Sequence, residues 1–488
     1  MASTPDGAGP GQHSARPAAV PTASLTRAAL SRRHALRALS GLGLGAAGLT
    51  LPACSFTKGQ KTITPISVGK KPAPGRDINI EMYSLWGSTT GQGLVDLAAA
   101  YEAKQDKVGV RITYGGATSS GGYEQDKLFT AIAGNQPPDI AQLVPVQTSQ
   151  WENLGIMTDL TDWIEADGIK SSDFLGPAWH DMNVNGRIYQ MQWDADPNFP
   201  FFYNKVLFEK SGLDPDKPPT TIDEITEYSK KILRKSGGRV TKIGIVPWDQ
   251  YGMSNSVFTW GWAFGGSFYD DKTGAITPDN EYVVKALEWI CNFAKSVGGA
   301  SNVSISPPGL TLHPISGGNL GMSGLVTTNY TDIVKAKPTN VKLGSALWPY
   351  QKPGNDKPGA GAWIGGWAAF IPKGSKHPKE AYDFLKWFSA TPEGTNLAYK
   401  GAGFPPAYVH SPASKALKAD KNLRPYYDVL YSTDHSRPAM PVGSFYATQI
   451  DEHAAKALFG QTTPLQAMRT VKENTEKEFA RFKKQVKQ

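Results

Sequence analysis

The sequence has almost no cysteine, since Cys54 and Cys291 are the only two in 488 residues. A framework of several disulfides is therefore impossible, and a hydrophobic core must stabilise the fold. Cys291 lies among Val284, Leu287 and Ile290 at helical spacing, which predicts a buried, unreactive thiol on the inner face of a helix. A chain of this length usually divides its core between two domains.

Motifs for metal, nucleophile and phosphate chemistry are missing as well. The eight histidines are scattered and form no HExxH pair, and neither a GxSxG elbow nor a Walker loop occurs. The glycine-rich stretches at 115–122 (GGATSSGG) and 318–324 (GNLGMSG) lack the lysine and the spacing that would hold a phosphate. We therefore expect no metal and no cofactor.

Strong basic character is absent from the body of the chain. The formal charge is +8, and five arginines and one aspartate lie in residues 1–54, so the remainder carries about +4. The terminal RFKKQVKQ (481–488) is the one basic block, and it is typical of a solvated helix end. We expect no nucleic-acid partner.

The N-terminal region lacks a hydrophobic run long enough to span a membrane, because Arg37 and several glycines interrupt it. Arg32 and Arg33 precede this apolar segment, which is typical of an export signal of the twin-arginine type. Leu51-Pro52-Ala53-Cys54 resembles a bacterial lipobox, in which Cys54 would become the acylated first residue. The alternative is an ordinary signal with a coincidental cysteine.

This pattern predicts an export signal over residues 1–53 and a lipid-anchored flexible linker over 54–75, which is rich in Lys, Pro, Gly and Thr. We expect the mature protein to lie outside the cytoplasm, anchored through Cys54 to the outer face of the cytoplasmic membrane. Folded structure should begin near Arg76.

Strand and helix patterns alternate from that point. INIEMYSLW, VGVRITYGG, DIAQLV, KIGIVPW and WAAFIP read as strands, and helical stripes lie between them. Thr220 or Thr221 should cap the helix of TIDEITEYSKKI, with Glu224 as the capping-box partner of Thr221. The alternation predicts an α/β fold with largely parallel sheets and a ligand site at the strand ends.

Tryptophan recurs at these predicted strand ends, beside glycines and acids. The indoles in question are Trp86, Trp193, Trp260, Trp262, Trp363 and Trp367. An indole face can stack on the apolar face of a sugar ring, while Asp194 and Asp196 can accept hydrogen bonds from its hydroxyls. Core packing is the alternative role for each indole, and general acid/base chemistry is the alternative for the acids.

The stretch PNFPFFYNKVLFEKSGLDPDKPPTTIDEITEYSKKI (197–232) resembles a segment of the bacterial extracellular solute-binding proteins of ABC importers, in the sugar-binding group that includes maltose-binding protein. Four other stretches agree in order: YEQDKLFTAIAGNQPPDIAQL, NGRIYQMQWD, GNLGMSG and WIGGWAAFIPKGSKHPKEAYDFLKWFSATPEG. The resemblance covers nearly all of 77–410. Asp194 and Asp196 make the crossing more acidic than is usual in the family, so the identity of the ligand stays open.

The resemblance implies a two-lobed fold of the periplasmic-binding-protein type (type II), with a hinge between the lobes. Residues 76–195 and 367–404 would form lobe 1, and 196–366 and 405–488 would form lobe 2. Ligand binding would shift the protein toward a closed form that docks to a membrane permease. The expected ligand-binding residues are Trp86, Gln142, Trp193, Asp194, Asp196, Trp260, Asn329, Trp363, Gly366 and Trp367.

The resemblance therefore implies a monomeric binding protein that delivers a carbohydrate to an ABC permease and is not an enzyme. A secreted, lipid-anchored glycoside hydrolase is one alternative, but hydrolysis needs a second acid across the scissile bond. No Glu lies beside the aromatic stretches at 193 and 363. A lipoprotein that senses a ligand for a membrane partner is another alternative.

Overall fold

The computed structural model describes residues 69–114, 125–306, 309–310 and 312–486. Cys54, the expected export signal and most of the expected linker lie outside these ranges. Helices alternate with strands in the described residues, as the sequence predicts. The α-helices are Ser88–Glu102, Gln125–Ala133, Thr148–Asn153, Thr161–Ala166, Gly176–Met182, Lys205–Lys210, Ile222–Ile232, Met253–Ala263, Glu281–Ser296, Thr327–Ala336, Pro378–Ala390, Pro392–Ala402, Pro412–Ala419, Arg424–Ser432, Gly443–Leu458 and Pro464–Val486.

A five-stranded sheet forms the centre of the first lobe. In spatial order its strands are Val108–Tyr114, Ile78–Ser84, Ile140–Leu143, Ala368–Phe370 and Met191–Gln192. The first three strands are parallel, and Ala368–Phe370 runs antiparallel to both of its neighbours. Most apolar residues of these strands pack with the helices that cover the sheet, whereas Ala141, Leu143, Ala368 and Phe370 belong to a second apolar cluster that extends into the second lobe.

A three-stranded sheet forms the centre of the second lobe. Phe201–Asn204 lies between Met322–Gly324 and Leu343–Ala346 and is antiparallel to both. The expectation of largely parallel sheets is therefore wrong for this lobe, because its central strand pairs with segments that return from the opposite direction. Of the predicted strand KIGIVPW, only Lys242 lies in a ladder, at the end of Arg239–Lys242, and Ile243 forms an isolated bridge with Leu320. Short two-stranded ladders join Asn183–Val184 to Arg187–Ile188, Arg234–Ser236 to Arg239–Lys242, and Tyr269–Asp270 to Ala275–Ile276.

The chain passes between the lobes through two adjacent segments. Pro197–Asn198 pairs antiparallel with Trp363–Ile364. Next to this pair, Asp196 N–H donates to the Gly365 carbonyl at 3.2 Å and Gly365 N–H donates to the Asp196 carbonyl at 2.8 Å. The two crossings therefore form a small ladder, which couples any movement of one to the other.

A third passage between the lobes occurs later than the boundary expected at residue 404. Leu175 N–H donates to the Ala407 carbonyl at 3.0 Å, and Val409 N–H donates to the Asp173 carbonyl at 2.9 Å. Residues 405–410 are thus paired with the first lobe. The passage lies in the helix Arg424–Ser432, where Tyr426 belongs to the apolar cluster of the second lobe and Leu430 to that of the first.

The folded region also begins earlier than Arg76. The backbones of Lys70 and Ile112 exchange two hydrogen bonds of 3.0 Å each. The Lys70 ammonium forms an ion pair of 2.5 Å with Glu102, and both side chains are largely buried. The last residues of the expected linker are therefore part of the first lobe.

Two local predictions in the second lobe are confirmed. Thr221 caps the helix Ile222–Ile232, and Glu224 completes the capping box. Cys291 lies on the buried face of Glu281–Ser296, where burial raises the pKa of its thiol to about 11. Within the described ranges, we find no helix with the length and apolar character needed to cross a bilayer.

Candidate functional site

The indoles of Trp86 and Trp367 meet at the edge of the first-lobe sheet. Trp86 follows the strand Ile78–Ser84, and its backbone N–H donates to the Ser84 hydroxyl at 3.0 Å. The ring centroids of Trp86 and Trp367 are 4.7 Å apart and the ring planes are almost perpendicular, at 86°. Both side chains are only partly buried, so this pair can present aromatic surface to a ligand.

The first crossing carries two carboxyl groups, of which that of Asp194 is bonded to the backbone of Trp367. Asp194 is fully buried, and its Oδ1 accepts a hydrogen bond of 3.0 Å from the backbone N–H of Trp367. Burial, together with the charge of Asp196, raises the pKa of the Asp194 carboxyl well above its usual range. Asp196 is partly exposed, and burial raises the pKa of its carboxyl to about 7, although the positive charge of Arg437 opposes the rise.

Gly366 permits the close contact between the two crossings. Its φ is +125°, which side chains rarely adopt. A Cβ at this position would lie 2.5 Å from the Asp194 carbonyl oxygen and 2.7 Å from its Oδ1. Gly366 is therefore required where the backbone approaches Asp194.

The second lobe contributes Asn329 through a contact with Tyr251. The Tyr251 hydroxyl donates to Asn329 Oδ1 and accepts a hydrogen bond of 3.2 Å from Val326 N–H. The Tyr251 ring stacks on Phe199 of the first crossing at 4.6 Å. Its φ of +60° is unusual for a residue other than glycine, and such conformations are often found at functional sites.

Tyr251 and Arg437 are both residues that the sequence analysis missed. Tyr251 had a signal, because it precedes a glycine in a loop after the buried IGIVPW stretch. The Arg437 guanidinium lies 5.5 Å from the centre of the Trp363 ring, and its positive charge acts on both Asp196 and Asp181. Nothing in the local sequence around Arg437 indicates that role.

Four of the predicted residues are buried and present no surface to a ligand. Trp193 is 1% exposed in the first-lobe core, between Phe388 and Phe404. Trp260 is fully buried in the second-lobe core, where its Nε1 donates to the Pro247 carbonyl at 2.8 Å. Packed in this way, neither ring has a free face that could stack on a ligand.

Gln142 and Trp363 are also buried, at 0% and 2% exposure. Gln142 Oε1 accepts a hydrogen bond of 2.8 Å from Leu85 N–H, close to Trp86. The Trp363 Nε1 donates to the Thr259 hydroxyl at 3.0 Å, so this indole links the second crossing to a second-lobe helix. Both residues support the crossing from within and do not face solvent.

Buried polar atoms without a protein partner are concentrated around the first crossing. In the part of the chain that the structure describes, they include Trp86 Nε1, both side-chain polar atoms of Gln190, Gln192 Oε1, Trp193 Nε1, Asp194 Oδ2 and Asp196 Oδ1. Buried polar groups are normally hydrogen-bonded to protein, water or a ligand. Trp86 and Asp196 are partly exposed as residues, but these two atoms are buried, so they can bond to a hydroxyl-rich ligand only where it enters the crossing.

Two cavities, with volumes of about 750 and 350 Å³, lie between the lobes, away from the indole pair. Their shared lining includes His180 of the first lobe and Tyr269 and Asp271 of the second. His180 Nε2 lies 3.3 Å from Asp271 Oδ2, and this contact, an ion pair when the imidazole is protonated, joins the lobes. None of the predicted ligand-binding residues lines either cavity.

Comparison with known proteins gives a family match over residues 86–394, to the model described as bacterial extracellular solute-binding protein. A probable ABC transporter-binding protein of Deinococcus radiodurans is 26% identical over 303 residues, which cover 62% of this chain and 70% of that protein. The arabinooligosaccharide-binding protein of Bacillus subtilis is 26% identical over 322 residues, which cover 63% of this chain and 68% of that protein.

Among solved structures, the chain is similar to CpMnBP1 with mannotriose bound. The TM-score is 0.68 at 23% identity, with 81% of this chain and 99% of that chain covered. At this level of identity the likeness shows the fold. The predicted two-lobed α/β fold of the periplasmic-binding-protein type is thereby confirmed.

Proposed function

We propose that this chain, which belongs to the bacterial extracellular solute-binding proteins, captures a carbohydrate between its two lobes. It then delivers the carbohydrate to the permease of an ABC importer. The family places the protein outside the cytoplasm. Its members bind solutes for transport and are not enzymes, so we propose that the ligand is released unchanged.

One observation carries the carbohydrate assignment. The partly exposed Trp86 and Trp367 pair lies where the chain passes between lobes, and Asp194, two residues before Asp196, is bonded to the Trp367 backbone. An indole face can cover the apolar face of a pyranose, and a carboxylate accepts strong hydrogen bonds from its hydroxyls. The arabinooligosaccharide-binding relative supports the same ligand class.

Asn329 and Tyr251 would complete the site from the second lobe. They reach the crossing through the stack of Tyr251 on Phe199. A ligand held by Trp86 on one lobe and Asn329 on the other would favour the closed arrangement of the lobes, by as much as its affinities for the open and closed forms differ.

The contacts of Asp194 argue against the glycoside hydrolase alternative. A glycosidase needs two carboxyl groups on either side of the scissile bond. Asp194 is fully buried and bonded to the Trp367 backbone, so it does not reach a bond in a ligand. Incubation with oligosaccharides should therefore yield no new reducing ends.

Titration with a panel of sugars tests the proposal. We expect at least one sugar to change the tryptophan fluorescence, and Trp86→Ala or Trp367→Ala to weaken its binding by about tenfold or more. Trp163→Phe is a matched control, because Trp163 is also a partly buried first-lobe indole, but it packs on Tyr382. Failure of every sugar at millimolar concentration would refute the carbohydrate assignment.

We further propose that the protein is a monomeric lipoprotein, exported by a twin-arginine signal and acylated on Cys54. Because Cys54 lies outside the described residues, the support comes from the sequence pattern. Mass spectrometry of the membrane-extracted protein should find an N-terminal diacylglyceryl cysteine. An unmodified N-terminus upstream or downstream of Cys54 would exclude this anchor.

A further inference from the structure

The backbone of the second crossing forms hydrogen bonds with two side chains from the segment that leads into the first crossing. Gln192 Nε2 donates to the Gly365 carbonyl at 3.0 Å, and Asp194 Oδ1 accepts from Trp367 N–H at 3.0 Å. We propose that Gln192 and Asp194 are positioning residues, which form a clamp on either side of Gly366 and thereby orient the Trp367 indole against Trp86. The clamp, as used below, consists of these two side chains.

The alternation of the strand explains how both side chains reach the same segment. Met191 and Trp193 pack into the first-lobe core. Gln192 and Asp194 therefore point to the opposite face of the strand, where the second crossing passes. Asp194 contacts Trp367 twice, because its own N–H also lies 3.5 Å from the Trp367 carbonyl oxygen.

The burial of Asp194 assigns it to positioning and not to the ligand. Its side chain is fully buried, Oδ1 accepts from the Trp367 backbone, and a Cβ at Gly366 would have no room beside it. Oδ2 is buried as well and has no protein partner, so it has no open path to a ligand in this packing. Asp196, two residues later, is the acid with exposed surface. The two acids are thus assigned different roles: the proposed function gives the ligand contact to Asp196, and the clamp gives Asp194 the positioning of the aromatic pair.

Near-ultraviolet circular dichroism of the ligand-free protein tests the clamp. The signal of the coupled indoles is the difference between the spectrum of the wild type and the spectrum of each single variant, Trp86→Phe and Trp367→Phe. In the wild type the two ring centroids lie 4.7 Å apart. We expect Asp194→Asn to keep this signal, because its amide oxygen still accepts from Trp367 N–H. Asp194→Ala should lose roughly half of it or more, because the acceptor is gone.

Gly366→Ala disturbs the same clamp from the other side and covers the case in which Asp194→Ala does not fold. Its methyl group would lie 2.7 Å from Asp194 Oδ1, so we expect the same loss of signal. Gly460→Ala is the matched control, since Gly460 also has a positive φ of +73° but no atom within 4 Å of the added methyl. It should keep the signal.

The proposal is overturned if Asp194→Asn loses the coupled signal, if Asp194→Ala or Gly366→Ala folds and keeps it, or if the two indoles give no coupled signal in the wild type. These measurements need no ligand, so failure of the proposed carbohydrate function would leave them unaffected. Where a sugar does bind, Asp194→Asn should retain wild-type affinity, and Asp194→Ala should weaken it by about tenfold.

Discussion

Asp196 should lower the stability of the ligand-free protein at neutral pH, because its carboxyl group is held where the charged form is poorly solvated. Burial raises the pKa of this carboxyl from an ordinary 3.8 to about 7, although Arg437 favours the charged form. We predict that Asp196→Asn makes the protein more stable at pH 8 while it weakens ligand binding.

The sign and size of the effect follow from linkage. A carboxyl group with a raised pKa in the folded state contributes stability that is fully present below pH 3.8 and is lost as the pH rises through about 7. One pKa unit corresponds to about 1.4 kcal/mol, so the full loss is about 4 kcal/mol. Between pH 5 and pH 8 the loss is about 3 kcal/mol, and the uncharged amide avoids it.

Urea denaturation followed by tryptophan fluorescence measures this difference. The free energy of unfolding of Asp196→Asn, relative to the wild type at the same pH, should rise by about 3 kcal/mol from pH 5 to pH 8. Asp332→Asn, at an exposed position on the helix Thr327–Ala336, should change stability by less than about 0.5 kcal/mol at both pH values. A pH-independent difference, or a less stable Asp196→Asn at pH 8, would refute the reasoning.

Three further predictions concern residues away from the ligand. Trp260→Phe should lower the free energy of unfolding by about 1–3 kcal/mol, because the hydrogen bond to the Pro247 carbonyl is lost. It should leave sugar affinity unchanged, and a weaker affinity would show that Trp260 contributes to the binding site. Glu102→Gln should speed proteolysis of residues 69–76, because the ion pair with Lys70 is broken, and equal cleavage rates would contradict this. The Cys291 thiol should react with a thiol reagent at pH 8 only after denaturation, so fast reaction of the native protein would contradict its burial.

Local features of the fold could be predicted from the sequence because short-range physics determines them. The cap of Thr221 and Glu224 depends on residues three positions apart, and the burial of Cys291 depends on helical periodicity. The antiparallel second sheet was not predictable in this way. Its strands come from distant parts of the chain, and no local pattern records which of them pair.

The candidate site was predicted in part. Trp86, Asp194, Gly366 and Trp367 do come together, as expected from their positions at strand ends and beside glycine. Strand alternation already separates Trp193 from Asp194, since adjacent residues point to opposite faces. That signal was present in the sequence, and weighting it would have placed Trp193 in the core.

Trp260 and Arg437 illustrate what the sequence does not contain. Trp260 lies on the helix Met253–Ala263, which is buried on all sides from Ser256 to Ala263, so helical spacing gives no inner or outer face to read. Arg437 reaches the crossing through tertiary packing alone. Its charge acts on Asp196, which is more than two hundred positions earlier in the chain.

The structure of the complex with the sugar that binds most tightly tests the central claim most directly. We expect one sugar ring against Trp86 and Trp367, with a hydroxyl group hydrogen-bonded to Asp196 and the second lobe in contact through Asn329. A sugar bound instead in the 750 Å³ cavity beside Trp179 and Tyr269, with the Trp86 and Trp367 pair untouched, would contradict it.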